Sequence, residues 1–353
     1  MSCCILRPAS CTKQMSTAAH FYGIHRHRKD SFHFTMQEQK KPLLQRGGVV
    51  CLCALICTGL WGSAFPCIKI GYRILEISSS DTASQLLFAG LRFTIAGILT
   101  ILFGSILQKK ILLPHVHSLS KIAGISLFQT ILQYIFFYIG LAHTAAVKSS
   151  ILGGTGVLFS ILLVCLVFRQ ESMTLPKLLG CLIGFAGICL VSISGSGSTL
   201  RFDFHWNGEG ALLLSNLANA ISPILLKQFS KTENPVMLSG YQFFFGGICI
   251  TILALLEGGS FSLHGITPVL LLLYMAMISA VAYTLWGILL QQNPVSSVTI
   301  YGFTIQIFGV LLSAVFLGEW EQIRFSTLLA LLFVCLGIFL VNRPTSFFQK
   351  KKQ

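Results

Sequence analysis

Charge is what this sequence has least of. Only 10% of its 353 residues are Asp, Glu, Lys or Arg, whereas a soluble globular domain carries roughly 25%. Acids are the scarcer sign, 11 against 25 Lys and Arg. All eleven fall in tails, in loops or at the ends of apolar runs. Without a carboxylate inside an apolar run, there is no obvious proton relay. A carrier of organic cations, which needs a buried counter-charge, is also disfavoured. Cysteine is plentiful, at twelve, but it has no pattern. There is no Cys-x-x-Cys and no His/Cys cluster with metal-ligand spacing, so no metal and no cofactor are expected. No nucleophile–base constellation is visible, which argues against an enzyme. The net charge of +14 is not a nucleic-acid footprint, because the cations sit mostly in loops and tails, where they orient a chain in a membrane.

What is present is apolar length. The chain is 54% hydrophobic with a mean hydropathy of +0.77. A bilayer-crossing helix needs about 20 apolar residues. Ten runs qualify: 49–70, 86–107, 122–142, 147–168, 178–194, 210–229, 236–256, 269–290, 295–316 and 325–341. Free backbone groups have no partner in lipid, so the runs must be helical. The expected fold class is an all-α polytopic membrane protein. Placing the N-terminus in the cytoplasm puts nineteen Lys and Arg in inside segments and three in outside loops (Arg73, Arg201, Arg324). Both termini are therefore expected to be cytoplasmic. Residues 1–48 read as a basic tail. It could be a transit peptide, but the favoured reading starts translation at Met36, since Lys40, Lys41 and Arg46 already form a positive flank.

The chain repeats itself. Val147–Glu171, "VKSSILGGTGVLFSILLVCLVFRQE", aligns without gaps to Val295–Glu319, "VSSVTIYGFTIQIFGVLLSAVFLGE", with seven identities. "GLRFTIAGI" at 90–98 pairs with "GYQFFFGGI" at 240–248, and Ala54–Pro66 pairs with Ala211–Pro223. Three matches in one order, at offsets near 150, mark a duplication. Each half holds an odd number of spans, five, so the halves enter the membrane opposite ways up. The expected organisation is ten transmembrane helices as two inverted five-helix repeats, 49–195 and 208–343, with a basic C-terminal tail at 344–353. Inverted repeats place a substrate near the midplane and alternate access by rocking one part against another. This points to a carrier.

These same residues, "WGSAFPCIK" in the first span, "GLRFTIAGI" in the second and the Glu-ending fourth and ninth spans, resemble the drug/metabolite transporter superfamily, and within it the EamA-type exporters. The resemblance covers about residues 49–343. It implies ten helices around a central cavity and export of amino acids, related metabolites or drugs. The second repeat has "LANAISPIL" where the first has "LWGSAFPCI", so the role of the aromatic at Trp61 does not carry over to Ala218.

The candidate site follows from the polar residues within the spans. Lys69, Arg92 and Lys148 lie in the outer part of the first repeat, and their counterparts Leu226, Gln242 and Ser296 are uncharged. Snorkelling competes with a positive vestibule for a carboxylate or phosphate. It is hardest for Arg92, about 7 residues into its run and roughly 10 Å deep. Pro66 and Pro223 are expected to kink a pair of gating helices. Ser215, Asn219 and Ser222 share a helix face. The expected substrate-binding set is Trp61, Arg92, Gln133, Tyr134, Tyr138, Lys148, Asn219, Ser222, Gln242, Tyr283, Trp286 and Gln306. Aromatic and amide groups suit a small amphipathic ligand, and interhelical hydrogen bonding is the competing role. Gly180, Gly184, Gly187, Gly246 and Gly247 read as close-packing positions, and those in span five would also suit a homodimer. The expected function is export of a small neutral, zwitterionic or anionic metabolite, an amino acid or relative, across the cell (inner) membrane. The alternatives are an organic-phosphate or nucleotide-sugar exchanger of the same superfamily, or a drug exporter. The partners expected are the substrate and the bilayer, with no nucleic acid.

Overall fold

Among the described residues every regular element is a helix. The computed structural model describes residues 42–78, 80–144, 146–194, 204–318, 320 and 325–343, apart from the side chains at 142, 146–151, 191–194 and 327. Met36, the Lys148 side chain, Glu319 and the C-terminal tail lie outside that description.

Ten helices run in chain order among the described residues. α1 is Gly47–Ile74 and α2 is Thr82–Leu107. α3 joins Val116–Ser126 to Gln133–His143 through a π turn, Leu127–Leu132. α4 is Ala146–Leu162 with a terminal π turn, Leu163–Val167, and α5 is Leu175–Ser194. α6 opens with a π turn, Trp206–Gly210, and continues as Ala211–Phe229. α7 is Pro235–Leu256 and α8 is Ile266–Gln292. α9 starts as Val295–Thr299, tightens over Ile300–Gly302 and continues as Phe303–Leu317. α10 is Phe325–Asn342. These match the ten apolar runs. Seven are long and apolar enough to cross a membrane, and three apolar stretches, Leu152–Val167, Leu175–Leu190 and Leu328–Asn342, are shorter. The helices also overrun the apolar runs. α2 begins at Thr82, where the Asp81 carboxylate accepts from the Ser84 amide at 2.9 Å, because a side-chain acceptor satisfies an otherwise orphaned N–H. Asn234 caps α7 in the same way.

Packing follows the repeat. α2 lies on its own counterpart α7, the most extensive interface, and α5 lies on its counterpart α10. Three further contacts come in matched pairs: α1 on α9 mirrors α6 on α4, α1 on α8 mirrors α6 on α3, and α2 on α8 mirrors α7 on α3. The result is two three-helix groups, α1/α8/α9 and α3/α4/α6. The glycines show the direction of the helices. A Cβ at Gly90 would touch Thr251, and one at Gly97 would touch Phe244; one at Gly240 would touch Ile101, and one at Gly247 would touch Thr94. As numbering rises along α2 it falls along α7, so equivalent helices of the two repeats run antiparallel. That is the inversion. Gly180 and Gly187 meet α10 at Gly337 and Ala330, so the glycine face of α5 is used within the chain.

Both ends of the helical region meet at one end of the bundle, here the termini end. Asn293, after α8, donates to the Leu44 carbonyl just before α1 at 2.9 Å. A cleft of about 360 Å³ there is lined by Glu171, Lys177, Pro294 and Arg343 among others. Glu171 accepts from Lys177 Nζ at 2.8 Å and from the Ser296 amide at 3.2 Å. Burial alone would raise the Glu171 carboxyl, but hydrogen bonds from Lys177 and Ser296 outweigh it and hold it below the usual carboxylate range. A carboxyl depressed in the folded state adds stability that is present above its unfolded titration, and that is lost as pH falls through the folded one. The melting-temperature gap between the wild type and Glu171→Gln is therefore expected to stay constant from neutral pH to about pH 5. It should shrink below about pH 4.3, as read by thermal unfolding in detergent.

Candidate functional site

The centre of the bundle is a chain of aromatic rings contributed by both repeats. Phe93 of α2 and Phe243 of α7 occupy the same position of the two repeats and stack with centroids 5.3 Å apart. Each stack member then meets a tyrosine of its own repeat: Phe93 meets Tyr134 of α3, and Phe243 meets Tyr283 of α8, both at 4.6 Å. Beyond this symmetric core the two sides differ. Trp61 of α1 packs on Tyr283 at 4.7 Å and on Trp286 at 5.0 Å, whereas the corresponding position of α6 is Ala218. On the other side Tyr138 meets Tyr134, and its hydroxyl lies 3.2 Å from that of Tyr72, in the last turns of α1. Ring pairs in these offset and edge geometries each stabilise by about 0.5–1.5 kcal/mol beyond their buried area.

Arg92 sits on this chain. Its guanidinium carbon is 4.3 Å from the Phe93 ring centroid, and the residue is only 6% exposed. Its Nε has no hydrogen-bond partner. No acid among the described residues pairs with it, although the hydroxyls of Tyr72, Tyr138 and Tyr283 lie within its electrostatic reach. Arg92 lies ten positions after Thr82, the start of α2, or roughly 15 Å along the helix. Lys69, by contrast, is exposed, as a snorkelling side chain would be.

Other buried polar atoms of the expected site are also unsatisfied. Trp61 Nε1, Gln133 Oε1 and Gln242 Nε2 are buried and unpartnered. The π turn of α3 organises this region. It carries Gln129, which accepts from Ser222 of α6, and Thr130, which donates to Gln242 Oε1 at 2.7 Å. Ser126 donates to the Gln242 carbonyl at 3.0 Å. A π turn adds a residue to the helix turn and re-aims its side chains, and here it lets one helix reach α6 and α7 together.

The structure brings Trp61, Arg92, Tyr134, Tyr138, Tyr283 and Trp286 into one cluster, with Gln133 adjoining Tyr134 in sequence and Gln242 adjoining Phe243. Ser222 is committed to Gln129, and Ser215 donates to the Gln133 carbonyl at 2.7 Å, so both link helices. No described hydrogen bond or ring contact ties Asn219 or Gln306 to the rings. Gln306 instead lies against Gly153 of α4. Lys148 falls outside the described side chains. Pro66 and Pro223 both lie inside unbroken helices, so neither ends its span. Phe93, Phe243 and Tyr72 were not expected in the site. The two phenylalanines were nonetheless visible, at the fourth position of "GLRF" and of "GYQF". Two cavities, of about 460 and 360 Å³, lie elsewhere, one between α3 and α7 and the other at the termini end.

Comparison with known proteins gives a consistent result. The model of the EamA-like transporter family matches residues 48–193 and 206–343. The chain is 25% identical over 294 residues to the uncharacterized transporter YvbV of Bacillus subtilis, covering 80% of this chain and 88% of the relative. It is 25% identical over 298 residues to a probable terminal-alkyne amino-acid exporter of Streptantibioticus cattleyicolor, covering 81% and 90%. A solved crystal structure superposes with a TM-score of 0.67 at 14% identity, over 87% of this chain and 99% of that one. That likeness is one of fold alone.

Proposed function

Since the chain belongs to the EamA-like transporter family of the drug/metabolite transporter superfamily, we propose that this multi-pass membrane transporter exports a small amphipathic anion or zwitterion of the amino-acid class. The observation that carries the reading is Arg92, a buried cation on an aromatic chain for which no acid among the described residues supplies a counter-charge. A buried charge without a partner is costly, so a carboxylate held there would gain both attraction and hydrogen bonds. The buried, unpartnered Gln133 Oε1, one residue from Tyr134 in α3, can accept from an ammonium, and the ring faces of Trp61, Tyr134 and Tyr283 suit an apolar side chain or a cation. The amino-acid exporter among the relatives favours the same class. Transport would proceed by rocking of α1/α8/α9 against α3/α4/α6, with both termini in the cytoplasm and the protein in the cell membrane. Relatives named as transporters and exporters support reading the protein as a carrier.

The test is counterflow in proteoliposomes with matched pairs of amino acids and their carboxamides. Free carboxylates should exchange and the amides should not. Equal counterflow of acid and amide would remove Arg92 from substrate recognition.

A further inference from the structure

At the termini end the two three-helix groups are tied by side chains. Lys227, two residues before the end of α6, donates from Nζ to the carbonyl oxygens of Leu290 at 2.8 Å and of Asn293 at 2.5 Å, at the end of α8. A helix C-terminus leaves its last carbonyls without intrahelical donors and carries partial negative charge, so an ammonium is held there by both. One position away, Gln291 donates to the Ser230 carbonyl at 2.9 Å. Glu171, past α4, accepts from Ser296 at the start of α9 and lies within electrostatic reach of Lys227. Each bond joins the α3/α4/α6 group to the α1/α8/α9 group. The acceptor side is itself fixed, because Asn293 also donates to Leu44 and Leu289.

Two features single out Lys227. The repeat does not reproduce it, since the corresponding residue of α1 is Ile70. It also lies four residues beyond Pro223, whose missing N–H leaves the Asn219 carbonyl without its helical donor. The ammonium therefore lies one turn beyond the point in α6 where a backbone bond is missing.

We propose that Lys227 is the latch of the termini-end gate. With its ammonium on the α8 carbonyls the seam between the groups is closed. Opening toward that side swings the last turn of α6 about Pro223 and withdraws the ammonium from Leu290 and Asn293. Lys227 positions helices and does not touch substrate. The inference rests on the alternating-access reading and is independent of what Arg92 binds.

The test uses the full chain in membrane vesicles of both orientations, with native cysteines replaced, a reporter cysteine at Gln133 and a charged methanethiosulfonate reagent. A C-terminal tag marks the side that holds the termini. Lys227→Met keeps the apolar stem and removes both hydrogen bonds. The reporter should react at least about tenfold faster from the termini side, since even one of the two charge-assisted hydrogen bonds is worth that much, and at an unchanged rate from the far side. Lys227→Arg, which keeps charge and donors, should behave as the parent. A general loosening of the bundle would raise both rates together and would count against the latch, as would an unchanged termini-side rate. If Lys227→Met fails to accumulate, Gln291→Ala breaks the adjacent bond across the same seam. It must raise the termini-side rate alone, or the proposal fails.

Discussion

Gly247→Val is expected to abolish the folded protein. A Cβ at that position would lie 2.4 Å from the Thr94 amide nitrogen and 2.9 Å from the Gly90 carbonyl oxygen. These are backbone atoms of α2, which no rotamer change can move. The helices would have to separate along the most extensive interface of the bundle. Overpacking a core usually costs about 1–3 kcal/mol, and a backbone collision in this interface should cost on the order of the upper end or more. The repeat supplies the mirror experiment. Gly97→Val should fail in the same way, since its Cβ would come 2.5 Å from the Phe244 amide nitrogen. Gly124→Val, where nothing lies within 4 Å, should be tolerated. Monodispersity and thermal unfolding in detergent give the comparison. A well-folded Gly247→Val would mean that α2 and α7 do not meet as described.

Arg92→Gln carries the largest expected effect on transport. It copies the second repeat, where Gln242 holds the same position, and Gln is a good helix former, so the fold should survive. Losing a charge-assisted hydrogen bond to a buried carboxylate should cost about 1.5–3 kcal/mol, which is about tenfold or more in affinity. Arg92→Lys should recover only part, because a point charge cannot replace the planar fork. The measurement is the half-saturating concentration in counterflow, at matched reconstitution. Unchanged half-saturation for every carboxylate in Arg92→Gln would leave the rings and amides as the whole of the site.

Much of this architecture was legible in the sequence, for a physical reason. Lipid imposes length and apolarity on every span, so the helices are written as runs, and their boundaries shift only where capping residues such as Asp81 extend a helix into polar sequence. The inversion was legible because five spans is an odd number. The site was only partly legible. Trp61, Arg92 and the tyrosines stand out because aromatic and charged groups are rare in such runs. Which hydroxyls and amides face the rings depends on helix rotation, and composition does not encode that. Ser222 looked like a site residue and is committed to Gln129. The π turn of α3 has no sequence signature that helical periodicity can detect, yet it decides where Gln129 and Thr130 point. Lys227 read as an orienting charge, because its acceptors at Leu290 and Asn293 come from a helix more than sixty positions away.

The pairing of each helix with its own counterpart constrains how the protein can be made. The glycine face of α2 is closed by α7, and Gly90 and Gly240 are 150 positions apart; α5 likewise waits for α10. During synthesis the first five helices enter the bilayer before the native partners of both of these faces have been made. Insertion therefore precedes folding by roughly half the chain. Contacts closed over such long loops form slowly, so the newly inserted first half is the stage at which wrong helix partners compete.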